Sequence, residues 1–493
     1  MGVIIRQSLK ATISSYIGVL IGFVNVIFLF PKFLNPETIG LIETIKAIVM
    51  LISPFALFGI PASITKFFPF YLKDGKDDGF YFSLGMIMLG SLFIFSFLFL
   101  LFGGNLLEFL GYKAQLMKVF SWLILPAIFS WTVLNYSSIV SHSVLRINVA
   151  RILDSIFMRL ISLAIVLLYG YSFITLNVLV ISLSLVFFFP GIILLIYLLK
   201  SGVIKVKILP ELFKTKNLKE VFKYGGYVVL SMISGLVVQK IDIVMLGIKE
   251  NLNIVGIYSI AFYIGTVIEI PMRNISDISF PVLSKSFKEN DYQQIDRIYK
   301  ETSINQLVIG GGIFIIIWAT IDNVFQVMPN GEVFKLGKYV VFFIGMAKVV
   351  DMLMGANKEL IQASEFYKLN LYVNITLSVL TVLFNLILIP YYSINGAAVA
   401  SLLAIIITNI IAFIIVKKNL KMQPFTYKTL ITLIIIVAFV FIGIQLPNLN
   451  SPILSFVYKG AILSLAYAVI VYFTKVSPMI NSFINQAIKK IKP

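Results

Sequence analysis

The sequence predicts an all-α integral membrane protein with about fourteen transmembrane helices. Of its 493 residues, 59% are hydrophobic and 13% are charged, whereas a soluble domain has roughly a quarter charged residues. Apolar residues gather in runs of about 20, the length that crosses a bilayer as a helix. Lysine and arginine gather in alternate connections between these runs, as they do in multi-pass proteins.

Fourteen apolar runs account for most of the chain. Their approximate bounds are 12–31, 41–70, 79–102, 114–141, 148–169, 174–199, 221–247, 254–282, 303–328, 338–356, 369–390, 396–416, 428–446 and 453–474. The second and eighth runs are longer than a bilayer requires. Each of these two contains a proline, Pro54 or Pro271, at which a helix can kink.

The distribution of lysine and arginine predicts the orientation. We count 27 of the 40 cations in connections on the side of the N-terminus and 5 on the opposite side, and cytoplasmic loops carry such an excess. Both termini are therefore expected in the cytoplasm, which requires an even number of spans. The same distribution explains the net charge of +18 without a nucleic-acid partner.

The composition excludes two kinds of site. The chain has no cysteine and a single histidine, His142, which excludes thiolate chemistry and metal sites built from cysteine or clustered histidine. The predicted outer loops are too short to form a catalytic domain. We therefore expect a protein that is not an enzyme and that has no metal or other cofactor.

A repeated motif relates the two halves of the chain. Phe-Pro, followed by two lysines and acidic residues, occurs in 68–78 after the second run and in 280–291 after the eighth. Gly40 and Gly256 lie near the start of the same two runs. An offset of six spans preserves orientation, so we predict two six-helix lobes related by a pseudo-two-fold axis along the membrane normal.

The repeat predicts the domain organisation. Residues 1–200 form an N-terminal lobe with helices 1–6, and residues 201–219 form a basic cytoplasmic linker. Residues 220–417 form a C-terminal lobe with helices 7–12, and residues 418–493 form helices 13–14 and a basic cytoplasmic tail.

Three charges lie on one face of the eighth span. Glu269, Arg273 and Asp277 are four residues apart, a spacing that keeps them on one side of a helix. A charge at the bilayer centre costs about 2.5–3.5 kcal/mol on insertion scales, so this face is expected toward the bundle interior or a water-filled cavity. Either the three charges neutralise one another along the helix, or Arg273 faces a cavity, where its guanidinium can hold a phosphate through two hydrogen bonds.

Further charges lie inside the predicted spans. The cations that can line a cavity in the bundle and bind an anionic ligand there are Arg273, Lys348, Lys240, Lys46, Arg159 and Lys66. Lys66 lies near the inner end of its span, where a lysine can instead extend to the lipid headgroups. The acidic candidates for holding a coupling Na⁺ or proton are Glu269, Asp351 and Asp277.

Four segments carry motifs of a known family. They are NLILIPYYSINGAAVASLLA (385–404), GIPASITKFFPFY (59–71), VGIYSIAFYIG (255–265) and FPVLSKSFKEND (280–291). The first resembles the junction of helices 11 and 12, and the others the patterns in helices 2 and 8, of the polysaccharide transporter branch of the multidrug/oligosaccharidyl-lipid/polysaccharide exporter superfamily. Fourteen helices also suit this branch.

The resemblance implies a flippase for O-antigen, capsule or exopolysaccharide repeat units. Such proteins move undecaprenyl-diphosphate-linked oligosaccharide from the cytoplasmic to the outer leaflet by alternating access, and we expect ion coupling. The implied partners are this lipid-linked oligosaccharide and the bilayer, with the polysaccharide polymerase and chain-length machinery as further candidates. The implied location is the bacterial inner membrane.

Three alternatives share this general architecture. A lipid II flippase for peptidoglycan precursors differs only in its cargo. A multidrug or organic-cation antiporter of the same superfamily needs carboxylates for cationic drugs, whereas the intramembrane charges of this chain lean positive. A membrane glycosyltransferase or polymerase typically requires a large outer loop or an acidic metal site, and the sequence has neither.

Overall fold

The computed structural model describes residues 17–73, 76–77, 79–109, 115–144, 146–482 and 485. These residues are helical apart from connections and one hairpin, whose two-residue strands β1 (Leu72–Lys73) and β2 (Lys76–Asp77) pair antiparallel. The helices are α1 (Ile17–Phe33), α2 (Pro36–Ala56), α3 (Ile60–Tyr71), α4 (Phe80–Phe109), α5 (Gln115–Ser143), α6 (Asn148–Gly170), α7 (Leu176–Ser184), α8 (Phe188–Lys200), α9 (Thr215–Lys249), α10 (Leu252–Lys288), α11 (Tyr292–Val327), α12 (Gly331–Leu353), α13 (Asn357–Ala363), α14 (Tyr367–Leu420), α15 (Tyr427–Gln445) and α16 (Pro452–Thr474).

The all-α membrane class is confirmed. Each of the fourteen predicted runs overlaps a helix of the described chain. Among the described residues, ten helices are long and apolar enough to cross a bilayer, or twelve if the bent pairs α7–α8 (42°) and α12–α13 (48°) each count as one span. The exact number of fourteen spans stays a prediction.

Two predicted runs are interrupted close to their prolines. The second run is two helices, because the chain breaks between α2 and α3 at Phe58 and Gly59, which have φ values of 45° and 63°. In the eighth run, a 3-10 turn at Val267–Glu269 immediately precedes the helical turn that contains Pro271. Proline fits there because the first turn of a helix does not need its N–H.

The eleventh and twelfth runs join into one long helix, α14. The backbone leaves helical geometry at a single residue, Ser393, which has φ 48° and ψ −127°. This residue lies three positions after Pro390, whose ring cannot continue a regular helix. The two runs are therefore two helical segments of α14, and they meet at a kink at Ser393.

The chain divides into two compact units, Met1–Ser259 (unit 1) and Ile260–Pro493 (unit 2). In unit 1, α2 packs against α4, α5 and α9, and α8 packs against α5. In unit 2, α11 packs against α12, α15 and α16, and α14 packs against α12 and α13. The two units are defined by which residues contact one another. The lobe boundaries that the repeat predicts stay a prediction.

Two glycines of the internal repeat bring α2 close to the start of α10 within unit 1. A Cβ atom at Gly40 would overlap the carbonyl oxygen of Leu252, and one at Gly256 would overlap the carbonyl oxygen of Pro36. Each carbonyl belongs to the residue four positions before the opposing glycine, so the contact is reciprocal. Small residues allow such close approach between membrane helices, and both positions require glycine for this reason.

We expect Gly40→Ala to lower the melting temperature of the purified protein in detergent. The added methyl group would force α2 and α10 apart, and overpacking of this kind costs about 1–3 kcal/mol. The matched control is Gly90→Ala in α4, where a Cβ atom would meet nothing within 4 Å. Both substitutions raise helix propensity equally, so equal melting temperatures for the two variants would contradict the close contact.

Candidate functional site

Three charged residues form the unit 1 cluster: Glu43, Lys46 and Lys240. Lys46 Nζ donates a hydrogen bond to Glu43 Oε1 at 3.0 Å, one turn away on α2. Lys240, on α9, lies within electrostatic range of both residues. The neighbouring Asp242 points elsewhere and accepts a hydrogen bond of 2.6 Å from Tyr258. One carboxylate therefore faces two cations.

Two predicted ligands of unit 1 lie apart from this cluster. Arg159 Nη1 donates to the carbonyl oxygen of Ser155 at 3.0 Å and lies against Gly18 of α1. Lys66 is exposed, and its Nζ lies 4.1 Å from the ring centroid of Tyr224, a cation–π contact. The structure brings neither residue to the unit 1 cluster, and their assignment as ligands stays a prediction.

The unit 2 cluster begins with one carboxylate that is shared by two cations. Arg273 Nε donates to Glu269 Oε1 at 2.9 Å, and Lys348 Nζ pairs with Glu269 Oε2. Glu269 and Lys348 expose only 15% and 17% of their side chains, whereas Arg273 exposes 65%. Two cations from α10 and α12 thus converge on a partly buried acid between them.

A second acidic residue completes the unit 2 cluster. Asp351 Oδ1 accepts hydrogen bonds from Lys358 Nζ at 2.8 Å and from Asn409 Nδ2 at 2.9 Å. Lys348 lies within electrostatic range of Asp351, and Lys358 lies within range of Glu269. The described cluster therefore holds three cations and two carboxylates, and a third carboxylate, Glu359, also lies within electrostatic range of Lys358.

The structure supports parts of both sequence-based alternatives for the eighth span. Glu269 and Arg273 pair along the helix as their spacing predicts, so Arg273 is partly neutralised. Glu269 is shared, however, and Nη1 and Nη2 of Arg273 make no hydrogen bond within the described chain. The side chain of Asp277 lies outside the described part of the structure. Arg273 therefore presents an open pair of donors that can meet an anion.

Two contacts of the unit 2 cluster differ from what the spacing of charges in the sequence indicates. Lys348 pairs with Glu269 on another helix, although Asp351 is one turn away on its own helix. Lys358 counts among the orientation-setting loop cations in the sequence, yet it lies on α13 and binds Asp351. Both differences arise because packing of α10, α12 and α13 brings together charges that are distant in sequence.

Unit 1 also contains an uncharged cleft of about 290 Å³. It lies between α2, α3, α5 and α9 and is lined by Ser53, Pro54, Leu57, Gly59, Pro61, Trp131, Asn135, Met232, Gly235, Leu236 and Gln239. Its polar groups include the buried Oδ1 of Asn135, which accepts no hydrogen bond within the described chain. A concave, mostly apolar surface with a few polar groups is typical of a small-molecule site.

The sequence analysis missed this cleft. The signal that could have found it is SWTVLNYSS (130–138), a polar stretch within an apolar span. Trp131 and Asn135 are four residues apart, so they lie on one helical face. Polar residues on such a helix more often bond neighbouring helices, and only the packing of α5 against α2 distinguishes the two roles.

Comparison with known proteins identifies relatives in both sequence and fold. A family model described as polysaccharide biosynthesis protein matches residues 4–287, more than half of the chain. The probable low-salt glycan biosynthesis flippase Agl15 of Haloferax volcanii is 24% identical over 196 residues, which are 40% of this chain and 41% of that protein. The match therefore spans about two fifths of this curated relative.

Solved structures share the fold over most of the chain. The lipid II flippase MurJ in an inward closed conformation has a TM-score of 0.74 and 15% identity, covering 95% of this chain and 100% of that one. An inward-facing multidrug resistance MATE family transporter of the MOP superfamily has a TM-score of 0.57 and 13% identity, covering 82% and 94%. The chain therefore shares its fold with these solved transporters.

We expect Glu269→Gln to lower the melting temperature in detergent. The substitution keeps the shape of the side chain but removes the charge that Arg273 and Lys348 share, and an unpaired, partly buried charge costs roughly 1–3 kcal/mol. Glu332→Gln is the matched control, because Glu332 pairs with Lys335 at an exposed site and such pairs contribute at most about 1 kcal/mol. A melting temperature as high as that of the control would show that the shared carboxylate is not structurally important.

Proposed function

The chain belongs to the polysaccharide biosynthesis protein family, and from this premise we propose that it is a lipid-linked oligosaccharide flippase. It would carry undecaprenyl-diphosphate-linked repeat units, of the O-antigen, capsule or exopolysaccharide kind, from the cytoplasmic to the outer leaflet. The relation to a probable glycan biosynthesis flippase and the transporter fold support this proposal.

One observation carries the proposal: the open guanidinium of Arg273 beside Lys348. A lipid diphosphate carries about two negative charges, and arginine binds phosphate oxygens through paired hydrogen bonds. Arg273 Nε is occupied by Glu269, while Nη1 and Nη2 bond to none of the side chains that the structure describes. The unit 1 cluster also has more cations than carboxylates. Both clusters therefore attract the anionic headgroup that this cargo has.

The proposed transport breaks no covalent bond. The headgroup and its sugars occupy a hydrated cavity, while the polyprenyl tail stays in the bilayer. Two conformations that open to opposite sides need differ in free energy by only a few kcal/mol, which cargo or a coupling ion can bias. A superfamily fold that occurs in inward-facing transporters supports such alternating access.

Among the three acidic candidates, we propose Asp351 as the coupling group. Both carboxylate oxygens of Glu269 are engaged, Oε1 by Arg273 and Oε2 by Lys348. Asp351 engages both its partners through Oδ1, and its Oδ2 makes no hydrogen bond within the described chain. Binding of a proton at Asp351 would weaken its pair with Lys358, which gives ion binding a structural consequence.

The location and partners follow from the same proposal. The protein is multi-pass, and the excess of basic residues in alternate loops supports cytoplasmic termini in the bacterial inner membrane. The cargo comes from enzymes that assemble sugars on the lipid carrier. The polysaccharide polymerase and chain-length machinery are proposed acceptors of the exported unit.

A lipid II flippase is the second candidate function. The observation that favours it is the similarity to MurJ over nearly the whole chain. Its cargo carries the same diphosphate, so the charged clusters suit both. A multidrug antiporter fits less well, because organic cations require carboxylates and the unit 1 cluster has two cations for one carboxylate.

We expect Arg273→Ala and Lys348→Ala each to lower transport of the lipid-linked oligosaccharide about tenfold or more, the effect of losing one charge-assisted hydrogen bond. Arg273→Lys should retain part of the activity, since lysine keeps the charge but not the paired donors. The measurement is transport in proteoliposomes, at equal amounts of inserted protein. Arg297→Ala is the control, because Arg297 forms an exposed pair with Glu301.

Wild-type transport by both alanine variants would contradict the role of these two residues. The two cargoes are compared in the same vesicles, with lipid II as one and undecaprenyl-diphosphate-linked repeat units as the other. Preferential transport of lipid II would support the second candidate function. Transport of neither cargo by the wild-type protein would contradict both.

A further inference from the structure

We propose that the uncharged cleft of unit 1 is a sugar-binding subsite that holds the glycan part of the cargo. This inference rests on the proposed function and deepens it, because it separates recognition of the sugar from recognition of the diphosphate. The relevant residues are Trp131, Asn135 and Gln239, and Gly235 leaves space beside them.

The aromatic face of the cleft comes from Trp131. Its indole is half-buried and packs edge-on against Phe187, with ring centroids 4.9 Å apart and an interplanar angle of 80°. This contact holds the indole in a fixed position at the cleft. The face of an aromatic ring carries a partial negative charge, so it attracts the weakly positive C–H groups on the apolar face of a pyranose ring.

The polar groups of the cleft match sugar hydroxyl groups. Asn135 Oδ1 is buried without a hydrogen-bond donor in the described chain, and a buried acceptor is costly to leave unpaired. Gln239 lines the cleft with an exposed amide. Amides offer both donors and acceptors, and each hydroxyl group of a sugar also does both.

The lining contains no charged residue. A phosphate would have no counter-ion there, whereas a neutral polar ring would lose little by entering. Gly235 leaves space, because a Cβ atom there would meet nothing within 4 Å. The volume of about 290 Å³ is at the lower end of the range for small-molecule pockets, which suits one or two sugar rings.

The cleft adjoins the unit 1 cluster along two helices. Ser53 lies seven residues after Lys46 on α2, about 10 Å along the helix axis, and Gln239 immediately precedes Lys240 on α9. The charged unit 1 cluster and the uncharged cleft therefore lie next to each other along both helices. A glycosyl diphosphate has the same order of parts, with its phosphates bonded directly to the first sugar.

The experiment uses Trp131 as its own reporter. The chain has three tryptophans, so Trp122→Phe with Trp318→Phe leaves Trp131 alone. This protein, in nanodiscs free of sugar-based detergent, is titrated with methyl glycosides of glucose, galactose, rhamnose, N-acetylglucosamine, N-acetylgalactosamine and glucuronic acid. We expect a saturable change in tryptophan emission with at least one glycoside and none with the acyclic polyol sorbitol.

Two variants in the same background test the polar contacts. We expect Asn135→Leu and Gln239→Leu each to weaken glycoside binding about tenfold, as expected for a site built around hydrogen bonds. Gln115→Leu is the matched control, because Gln115 is an exposed amide of α5 outside the cleft. Thermal unfolding of each variant shows whether it is folded, and Gln239→Leu changes an exposed side chain that carries no described packing role.

Two outcomes would overturn the subsite. One is the absence of a saturable response to every glycoside in the panel. The other is a response that both leucine variants leave unchanged, which would place glycoside binding elsewhere. Neither outcome affects the transport assay, so wild-type transport with no glycoside response rejects the subsite alone. A glycoside response without transport of either cargo rejects the proposed function and retains the site.

Discussion

The internal arrangement of this protein depends on one electrostatic constraint: a charge in an apolar interior must be paired or must meet water. Glu269 pairs with both Arg273 and Lys348. Asp351 pairs with Lys358 and also accepts a hydrogen bond from Asn409. In the unit 1 cluster one carboxylate faces two cations, so pairing there lowers the cost of burial and still leaves an attraction for anions. Structural stability and anion binding therefore use the same residues.

Local geometry explains what the sequence could predict. The pairs Glu43–Lys46 and Glu269–Arg273 are separated by one helical turn, so their contact follows from helix geometry alone. The apolar runs likewise predict the helices, since a spanning segment must satisfy its own backbone hydrogen bonds. Lys348, by contrast, meets Glu269 from a different helix, and no periodic pattern specifies which two helical faces will meet.

The uncharged cleft was unpredictable for a related reason. Trp131 and Asn135 look like ordinary residues of a membrane helix, and their role depends on space left by Gly235 on another helix. The break at Phe58, which takes a left-handed backbone conformation, also lacks a clear signal because Pro54 lies one turn earlier. Cavities arise from what packing leaves unfilled, and a sequence read one segment at a time does not contain that information.

The reciprocal contact of Gly40 and Gly256 has a consequence for the conditions under which it holds. It consists of backbone atoms of α2 and α10, and neither glycine has a side chain that could carry a charge. Dispersion forces of this kind are weak for each atom and vanish over a short distance. The contact therefore depends on the shape of the two helices, and changes in pH or salt concentration do not act on it directly.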